Sequence, residues 1–347
     1  MTQEHFCFAS DNCAGMCPEA LEAFLKANQD YSPSYGDDPW TERASNLLRE
    51  IFETDCAVYF CFTGTAANSM AIGHLCQSYH SVLCHCYAHV ETDECGAPEF
   101  FTNGTKVILI SGDHGKVDPE AARAAVERRK DIHYPKPRVL SLTQATELGT
   151  VYSTSELQAL AEVSKRYGMN IHMDGARLAN AIVSLGISPA ELTWKAGVDV
   201  LCLGGAKNGI LCAEAVVFFN LDLAREFDFR CKQAGQLASK MRFMTAAWVG
   251  LLESGAWLEN ARHANSAAHT LCRRLVEEFN FPIRHPQQAN SVFVDLPEAV
   301  SLAMHQRGWH FYSFIGSGGS RLMCSWKTSQ DEIDRFIDDL RAVTHSL

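Results

Sequence analysis

Five short stretches of the sequence combine reactive residue types with the backbone freedom to present them. The first is Thr63-Gly64-Thr65-Ala66-Ala67-Asn68, after an apolar run and at the start of helical spacing. Gly64 permits a tight turn, and the Thr63 and Thr65 hydroxyls, with the free N–H groups of a helix start, suit an anion such as phosphate. An ordinary Thr-capped turn would look the same. The second is His172-Met173-Asp174-Gly175-Ala176-Arg177. Asp174 ends an apolar run, where a carboxylate is poorly solvated unless it meets a cation such as a protonated ring nitrogen. Its plainer role is to cap a helix beginning near Arg177. The third is Gly204-Gly205-Ala206-Lys207-Asn208-Gly209. Small residues flank the lysine and present its amine, and a partly desolvated lysine loses its proton readily and forms Schiff bases. The plainer role is an exposed turn lysine.

The fourth stretch gathers His85, His89, Glu91, Asp93 and Glu94 with Cys84, Cys86 and Cys95. Cys84-His85-Cys86 leaves a one-residue gap where zinc ligands are spaced by two to four. No metal site is expected, and a histidine stacked on a planar ring is the better functional reading. The fifth is Ser317-Gly318-Gly319-Ser320-Arg321-Leu322, where glycines leave room above an arginine at a strand start. Guanidinium binds a carboxylate bidentately; a surface salt bridge is the plainer reading.

The elements that must position these residues alternate. Ala57–Phe62, Val82–Tyr87, Lys106–Ser111, Arg138–Thr143, Asn170–Asp174, Asp199–Gly204 and Glu214–Asn220 have strand character. Helical spacing runs over Thr65–Cys76 and Asp118–Lys130, and Ser153 with Glu156 forms a capping box for a helix that Gly168 stops. This alternation predicts an α/β fold with a mainly parallel sheet between helices. Ligands then bind at the carboxyl ends of the strands, where the first three stretches fall. Beyond Phe243 the texture changes to a long helix near Trp257–Phe279, strands at Ser291–Leu296 and Arg321–Trp326, and a helix from Gln330. The expectation is a large domain over 1–245, its first 20 residues reaching the site, and a small α+β domain over 246–347.

The net charge of −11, with scattered basic residues, argues against nucleic acid and against an anionic membrane surface. No apolar stretch is long enough to span a bilayer. Met1-Thr2-Gln3-Glu4-His5 carries no basic region before an apolar run, so the expected location is cytoplasmic. The 14 cysteines include Cys61, Cys84, Cys202 and Cys324 inside apolar runs, and read as reduced, buried small hydrophobes.

An anion turn, a histidine, an Asp at a strand end, a Lys about thirty residues on and a late Arg together resemble pyridoxal-phosphate enzymes of the aspartate-aminotransferase fold (fold type I). Within that fold the sequence resembles the low-specificity L-threonine aldolases over nearly its whole length. The motifs are Phe8-Ala9-Ser10-Asp11-Asn12, Tyr35-Gly36-Asp37-Asp38-Pro39, Thr63 to Asn68, Asp93-Glu94-Cys95-Gly96-Ala97-Pro98-Glu99, His172 to Arg177, Lys207-Asn208-Gly209 and Ser239-Lys240-Met241-Arg242.

The resemblance implies reversible cleavage of L-threonine, L-allo-threonine and related β-hydroxy-α-amino acids to glycine and an aldehyde. Phenylserine cleavage or β-elimination on the same fold are the alternatives. It implies that Lys207 carries pyridoxal 5'-phosphate, Asp174 pairs with the pyridine nitrogen, His89 stacks on the ring, and Thr63, Gly64 and Thr65 hold the phosphate. Ser10, Arg177 and Arg321 would hold the substrate carboxylate, Tyr35 and Asp93 would lie near substrate, and His133 or His89 would serve the hydroxyl. Lys240 or Arg242 would reach a phosphate across a subunit boundary in a homotetramer built from dimers with shared sites. Departures from the pattern are Cys13, Cys17 and Cys61 beside motif positions, and Gly205-Ala206 before Lys207 where a hydroxyl residue is expected.

Overall fold

The structure is a computed structural model that describes residues 4–314 and 319–346. Ser317 and Gly318 of the fifth stretch lie outside the described residues, as does Met1-Thr2-Gln3. Seven strands form one sheet: β1 (Ala57–Cys61), β2 (His80–His85), β3 (Lys106–Ile110), β4 (Lys136–Thr143), β5 (Asn170–Gly175), β6 (Val200–Gly204) and β7 (Glu214–Phe218). Their order is β1-β7-β6-β5-β4-β2-β3. The pairs β2–β3, β2–β4, β4–β5 and β5–β6 are parallel, and β7 is antiparallel to both neighbours. All residues of β2 and β7 are buried, as befits strands covered by helices on both faces. Because β7 runs backwards, its first residue, Glu214, stands opposite Cys61 and Gly204 at the carboxyl ends of β1 and β6.

Local chemistry sets the helix limits. The Asp118 side chain accepts from Ala121 N–H with Pro119 at the first turn, and that helix ends at Glu127, short of the expected Lys130. Ser153 and Glu156 form the expected capping box for Thr154–Tyr167, and Gly168 ends it with φ 65°. Asp38 caps Pro39–Phe52.

A second, antiparallel sheet consists of β8 (Ser291–Val294), β9 (Tyr312–Ser313) and β10 (Ser320–Met323), with β10 central. Helices Ala256–Phe279, Glu298–Gln306 and Gln330–Ser346 contribute Leu271, Leu275, Met304, Phe336 and Leu340 to a core shared with Val292, Trp309 and Leu322. The expected boundary at 245/246 needs correction. It falls inside the helix Arg242–Glu253, whose Ala247, Trp248 and Leu251 belong to the core of the large sheet. The long helix Ala256–Phe279 serves both cores, with Ala261 in one and Leu271 in the other. At the other end of the chain Phe8 packs in the small core, and Met323 N–H donates to its carbonyl. Among the described residues no helix is long and apolar enough to cross a membrane.

Candidate active site

Asp174 sits near the end of β5, fully inside the fold. Its Oδ1 accepts from Ala176 N–H at 3.0 Å and its Oδ2 from Asn68 Nδ2 at 3.0 Å. Burial pushes the carboxyl up, but the charges of His89 and Lys207 and the Ala176 N–H outweigh it and hold it below the ordinary value. The result is a buried, ionised carboxylate facing a cavity of about 600 Å³. The same cavity is lined by Asn12, Thr63, Gly64, Thr65, His89, Ala176, Lys207 and Glu214. It lies at the carboxyl ends of the parallel strands, as the fold rule requires.

His89 opens the short helix His89–Thr92, and its Nδ1 lies 2.9 Å from Glu94 Oε1. Asn68 Nδ2 donates to that same oxygen at 2.8 Å. The ligand atoms of His89, Glu94 and Asp174 are close enough to share a metal ion. However, the Asn68 amide already bridges the two carboxylates with both its hydrogens, so a cation there would meet a competing donor. The other cluster histidine is satisfied structurally: His85 Nε2 bonds Gly112 carbonyl at 3.0 Å and its Nδ1 accepts from Tyr87 N–H at 3.1 Å. His172 is also structural, pushed down to about 4 by burial and hence neutral.

Lys207 lies in the 3-10 turn Ala206–Asn208, just after β6. The turn is shaped by two close approaches. A Cβ on Gly204 would come within 2.4 Å of the Ala176 carbonyl, and one on Gly205 within 2.6 Å of the Ala213 carbonyl. Glu214 Oε2 accepts from Gly205 N–H at 2.7 Å. Burial raises its carboxyl to about 7, only partly opposed by the Gly205 N–H and by Lys207. At the start of the helix Gly64–Leu75, Thr63 Oγ1 accepts from Ala66 N–H at 3.2 Å. Nothing lies within 4 Å of a Cβ built on Gly64, so the turn leaves an open cradle of backbone donors.

The N-terminal segment supplies the neighbouring subsite. Asp11 and Arg177 form a buried two-point ion pair, Nε–Oδ2 at 2.7 Å and Nη2–Oδ1 at 3.0 Å. Asn290 Nδ2 adds a bond to Asp11 Oδ2 at 3.1 Å. Arg321, on β10, has no carboxylate partner among the described residues. Its Nε is buried without a hydrogen bond, and its guanidinium lies about 6 Å from the Tyr312 and Phe314 rings. Burial and the nearby Arg177 push its pKa down. A half-buried guanidinium with an unused buried donor suits an incoming carboxylate.

A family model described as beta-eliminating lyase matches residues 8–299. The sequence is 55% identical over 343 residues to the low-specificity L-threonine aldolase of Pseudomonas sp. (strain NCIMB 10558), covering 99% of each chain. The chain belongs to the low-specificity L-threonine aldolase family. The Saccharomyces cerevisiae aldolase is 27% identical over 84% of this chain and 74% of its own. The solved Leishmania major threonine aldolase superposes with a TM-score of 0.90 at 26% identity, covering 97% of this chain and 99% of that one. Mouse CSAD, at 14% identity and a TM-score of 0.79 over 98% of this chain and 84% of its own, shares the fold.

Pyridoxal phosphate is the cofactor of this aldolase family, and the residues here fit it. The ionised Asp174 suits a protonated ring nitrogen, the open turn at Gly64 suits a phosphate, and Lys207 lines the same cavity. The volume lies within the usual range for a cofactor pocket, about 300–1,000 Å³.

Not every expected residue reaches this cavity. His133 is exposed on the turn before β4, its N–H bonded to Asp131 Oδ1 at 3.0 Å. The strand runs from that turn toward the site, and its eight residues span about 25 Å, so His133 is at the far end of the sheet. Arg177 pairs with Asp11 through Nε and Nη2. Ser10 Oγ accepts from Asn12 N–H at 3.2 Å, capping the turn that carries Asp11. Tyr35 is exposed beneath Lys232, with Nζ 4.5 Å from its ring centroid. Lys240 is exposed, and Arg242 stacks on Phe243 and donates to the Ala27 carbonyl, so neither touches this cavity. Asp93 is exposed and takes a bond from Thr92, though its charge reaches Arg321.

Four residues were not assigned roles from the sequence. Asn68 and Glu94 stood inside quoted motifs, but only the fold reveals that they meet Asp174 and His89. Glu214 carried no signal except a charged residue at the head of an apolar strand. Asp11, within the motif Phe8 to Asn12, is the partner of Arg177.

Proposed function

We propose that this protein cleaves L-threonine, L-allo-threonine and related β-hydroxy-α-amino acids to glycine and an aldehyde, with pyridoxal phosphate carried on Lys207. The observation behind it is a buried ionised Asp174 and Lys207 lining one cavity at the end of the large sheet, with Arg321 of the second sheet close enough to Arg177 and Asp11 to feel their charges. Near-full-length identity to named aldolases supports the choice of reaction.

When bound, the cofactor supplies a conjugated electron sink for the bond broken at Cα. Asp174 keeps the ring nitrogen protonated by presenting an opposite charge. Thr63, Gly64 and Thr65 hold the phosphate, and His89 covers the ring. Arg321 would take the substrate carboxylate and so fix the orientation of the bonds at Cα. Tyr312 and Phe314 flank the guanidinium. His89 Nδ1 is engaged by Glu94, which leaves Nε2 as the ring atom able to take the β-hydroxyl proton. Lys207 would hold the cofactor, and its free amine would be the group placed to move a proton at Cα.

The proposal includes a cytoplasmic homotetramer built from dimers with shared sites. All 14 cysteines are unpaired, which supports a reducing compartment. The test is direct. The purified protein is expected to be yellow with bound cofactor and to release acetaldehyde and glycine from L-threonine, and Lys207→Ala to lose both products. Release of a keto acid and ammonia instead would move the reaction to β-elimination. A protein that takes up no cofactor would overturn the proposal.

A further inference from the structure

Three buried side chains outside the expected machinery join its two titratable members. Glu94 is 3% exposed and Asn68 2% exposed. Glu94 Oε1 sits between His89 Nδ1 at 2.9 Å and Asn68 Nδ2 at 2.8 Å, and Asn68 Nδ2 reaches on to Asp174 Oδ2 at 3.0 Å. The flanking carboxylates fix the amide orientation, because its oxygen in their place would face two acceptors. Both amide hydrogens are then used, and Asn68 Oδ1 is left buried without a partner. The third side chain, Ser69, lies 3.5 Å from Glu94 Oε2 and adds little.

We propose that Glu94 is the positioning residue of this site: it holds the His89 proton on Nδ1, keeps Nε2 turned to the substrate hydroxyl, and through Asn68 ties that arrangement to Asp174. The inference rests on the aldolase reading for the role of Nε2, but the tautomer claim stands on geometry alone. A carboxylate is acceptor-only, so the ring atom facing it must carry the proton. A neutral His89 therefore has its lone pair on Nε2, the form that can accept a proton. Other charges also face this pair: Asp174 from β5, Glu147 from the segment after β4 and Lys207 from the turn after β6. Burial works to lower the His89 pKa, yet the Glu94 bond, Asp174 and Glu147 leave it raised.

The sign of the expected pH effect follows. His89 must be neutral to act as a base, so a raised pKa places the acid limb of kcat at higher pH. Removing the Glu94 charge lets the His89 pKa fall and moves that limb to lower pH. At the same time the ring loses its orientation, and a misplaced base costs up to about 100-fold in rate. A merely structural role would lower the rate without moving the limb.

The experiment uses the full chain with labelled histidine, loaded with cofactor and free of it, in the wild type, Glu94→Gln, His89→Asn and the double variant. By nitrogen NMR the wild-type His89 is expected to carry its neutral-form proton on Nδ1 and to titrate above the ordinary histidine value. In Glu94→Gln the titration is expected to fall by about one pH unit and the acid limb of kcat to follow it. Adding Glu94→Gln to His89→Asn is expected to change kcat by less than about twofold, since the two act as a unit. If Glu94→Gln does not fold, Glu94→Asp, which retracts the carboxylate from His89, is read in its place. An Nε2 proton in the wild type, an unmoved titration, or additive losses in the double variant would overturn the inference. Because the NMR titration needs no turnover, it is decided even if L-threonine proves not to be the substrate.

Discussion

The two arginines illustrate how neighbours, and not residue type, divide the work. Arg177 has its charge answered by Asp11, whereas Arg321 has an unused buried donor. Arg321→Ala is expected to raise KM for the amino acid by about 100-fold, the scale of a lost charged hydrogen-bond pair, with a smaller effect on stability. Steady-state kinetics and a urea titration separate the two effects. Asp11→Asn should behave oppositely. It leaves a buried guanidinium unpaired, at a cost of about 3–5 kcal/mol in unfolding free energy. Asp11 has a depressed pKa, since Arg177 and Lys207 overcome the effect of burial. Its contribution is thus present above the ordinary carboxylate range and is lost only as the pH falls through the depressed value. Glu214 has the reverse sign. Its carboxyl is raised from 4.5 to about 7, so the folded state holds a proton that the unfolded chain has released. Stability of the cofactor-free protein should therefore fall as pH rises from about 4.5 to about 7. Glu214→Gln keeps an acceptor for Gly205 N–H and is expected to flatten that slope. Denaturant unfolding at pH 5 and pH 8, wild type against variant, measures the difference; equal slopes would remove Glu214 from the account.

At the scale of elements, the string Tyr35-Gly36-Asp37-Asp38-Pro39 does local structural work. Tyr35 and Gly36 take positive φ of 59° and 93°, Asp38 caps the next helix, and Pro39 occupies its first turn. Asp38 Oδ1 accepts from Thr41 N–H at 2.9 Å and Oδ2 from the Thr41 hydroxyl at 2.8 Å. Asp38→Ala is expected to lower unfolding free energy by about 1–2 kcal/mol, with KM unchanged. A loss confined to KM would assign the string to substrate instead. Signals of this local kind explain why the elements were legible in the sequence. Caps, breaker glycines and apolar runs act within a few residues, so the seven strands and the Ser153 box could be read directly. The relations across the sheet could not. That Asn68 touches Asp174, 106 positions away, depends on β1 and β5 sharing one sheet. That His133 is remote depends on which way β4 runs, and a motif match is silent on direction. Similarly, the change of texture after Phe243 precedes the strands Ser291–Val294 and Ser320–Met323 of the second sheet. The domain boundary was misplaced because the helix Arg242–Glu253 is apolar toward the first core.

The shape of the whole molecule raises the question of what closes the cavity. Phe62 and Leu211 line it yet are 57% and 67% exposed, so one wall is open to solvent. Lys240, on the exposed run before the helix Arg242–Glu253, carries a charge that its own chain's cavity does not use. A second copy packed over this rim would cover the apolar side chains and could bring a lysine to the phosphate. Symmetric association makes each copy's contribution reciprocal. Lys207→Ala and Lys240→Ala subunits, each inactive alone, then give a distinctive result when co-expressed. A mixed dimer holds one site with both defects and one with neither, so random pairing returns roughly one quarter of wild-type activity. Sites formed within single chains would return none, because every site would carry one defect. Light scattering supplies the parallel check, with a mass that should be a multiple of 38.4 kDa. Recovery in the mixture together with an oligomeric mass would place Lys240 at the neighbour's site; an oligomer without recovery would leave it as surface charge.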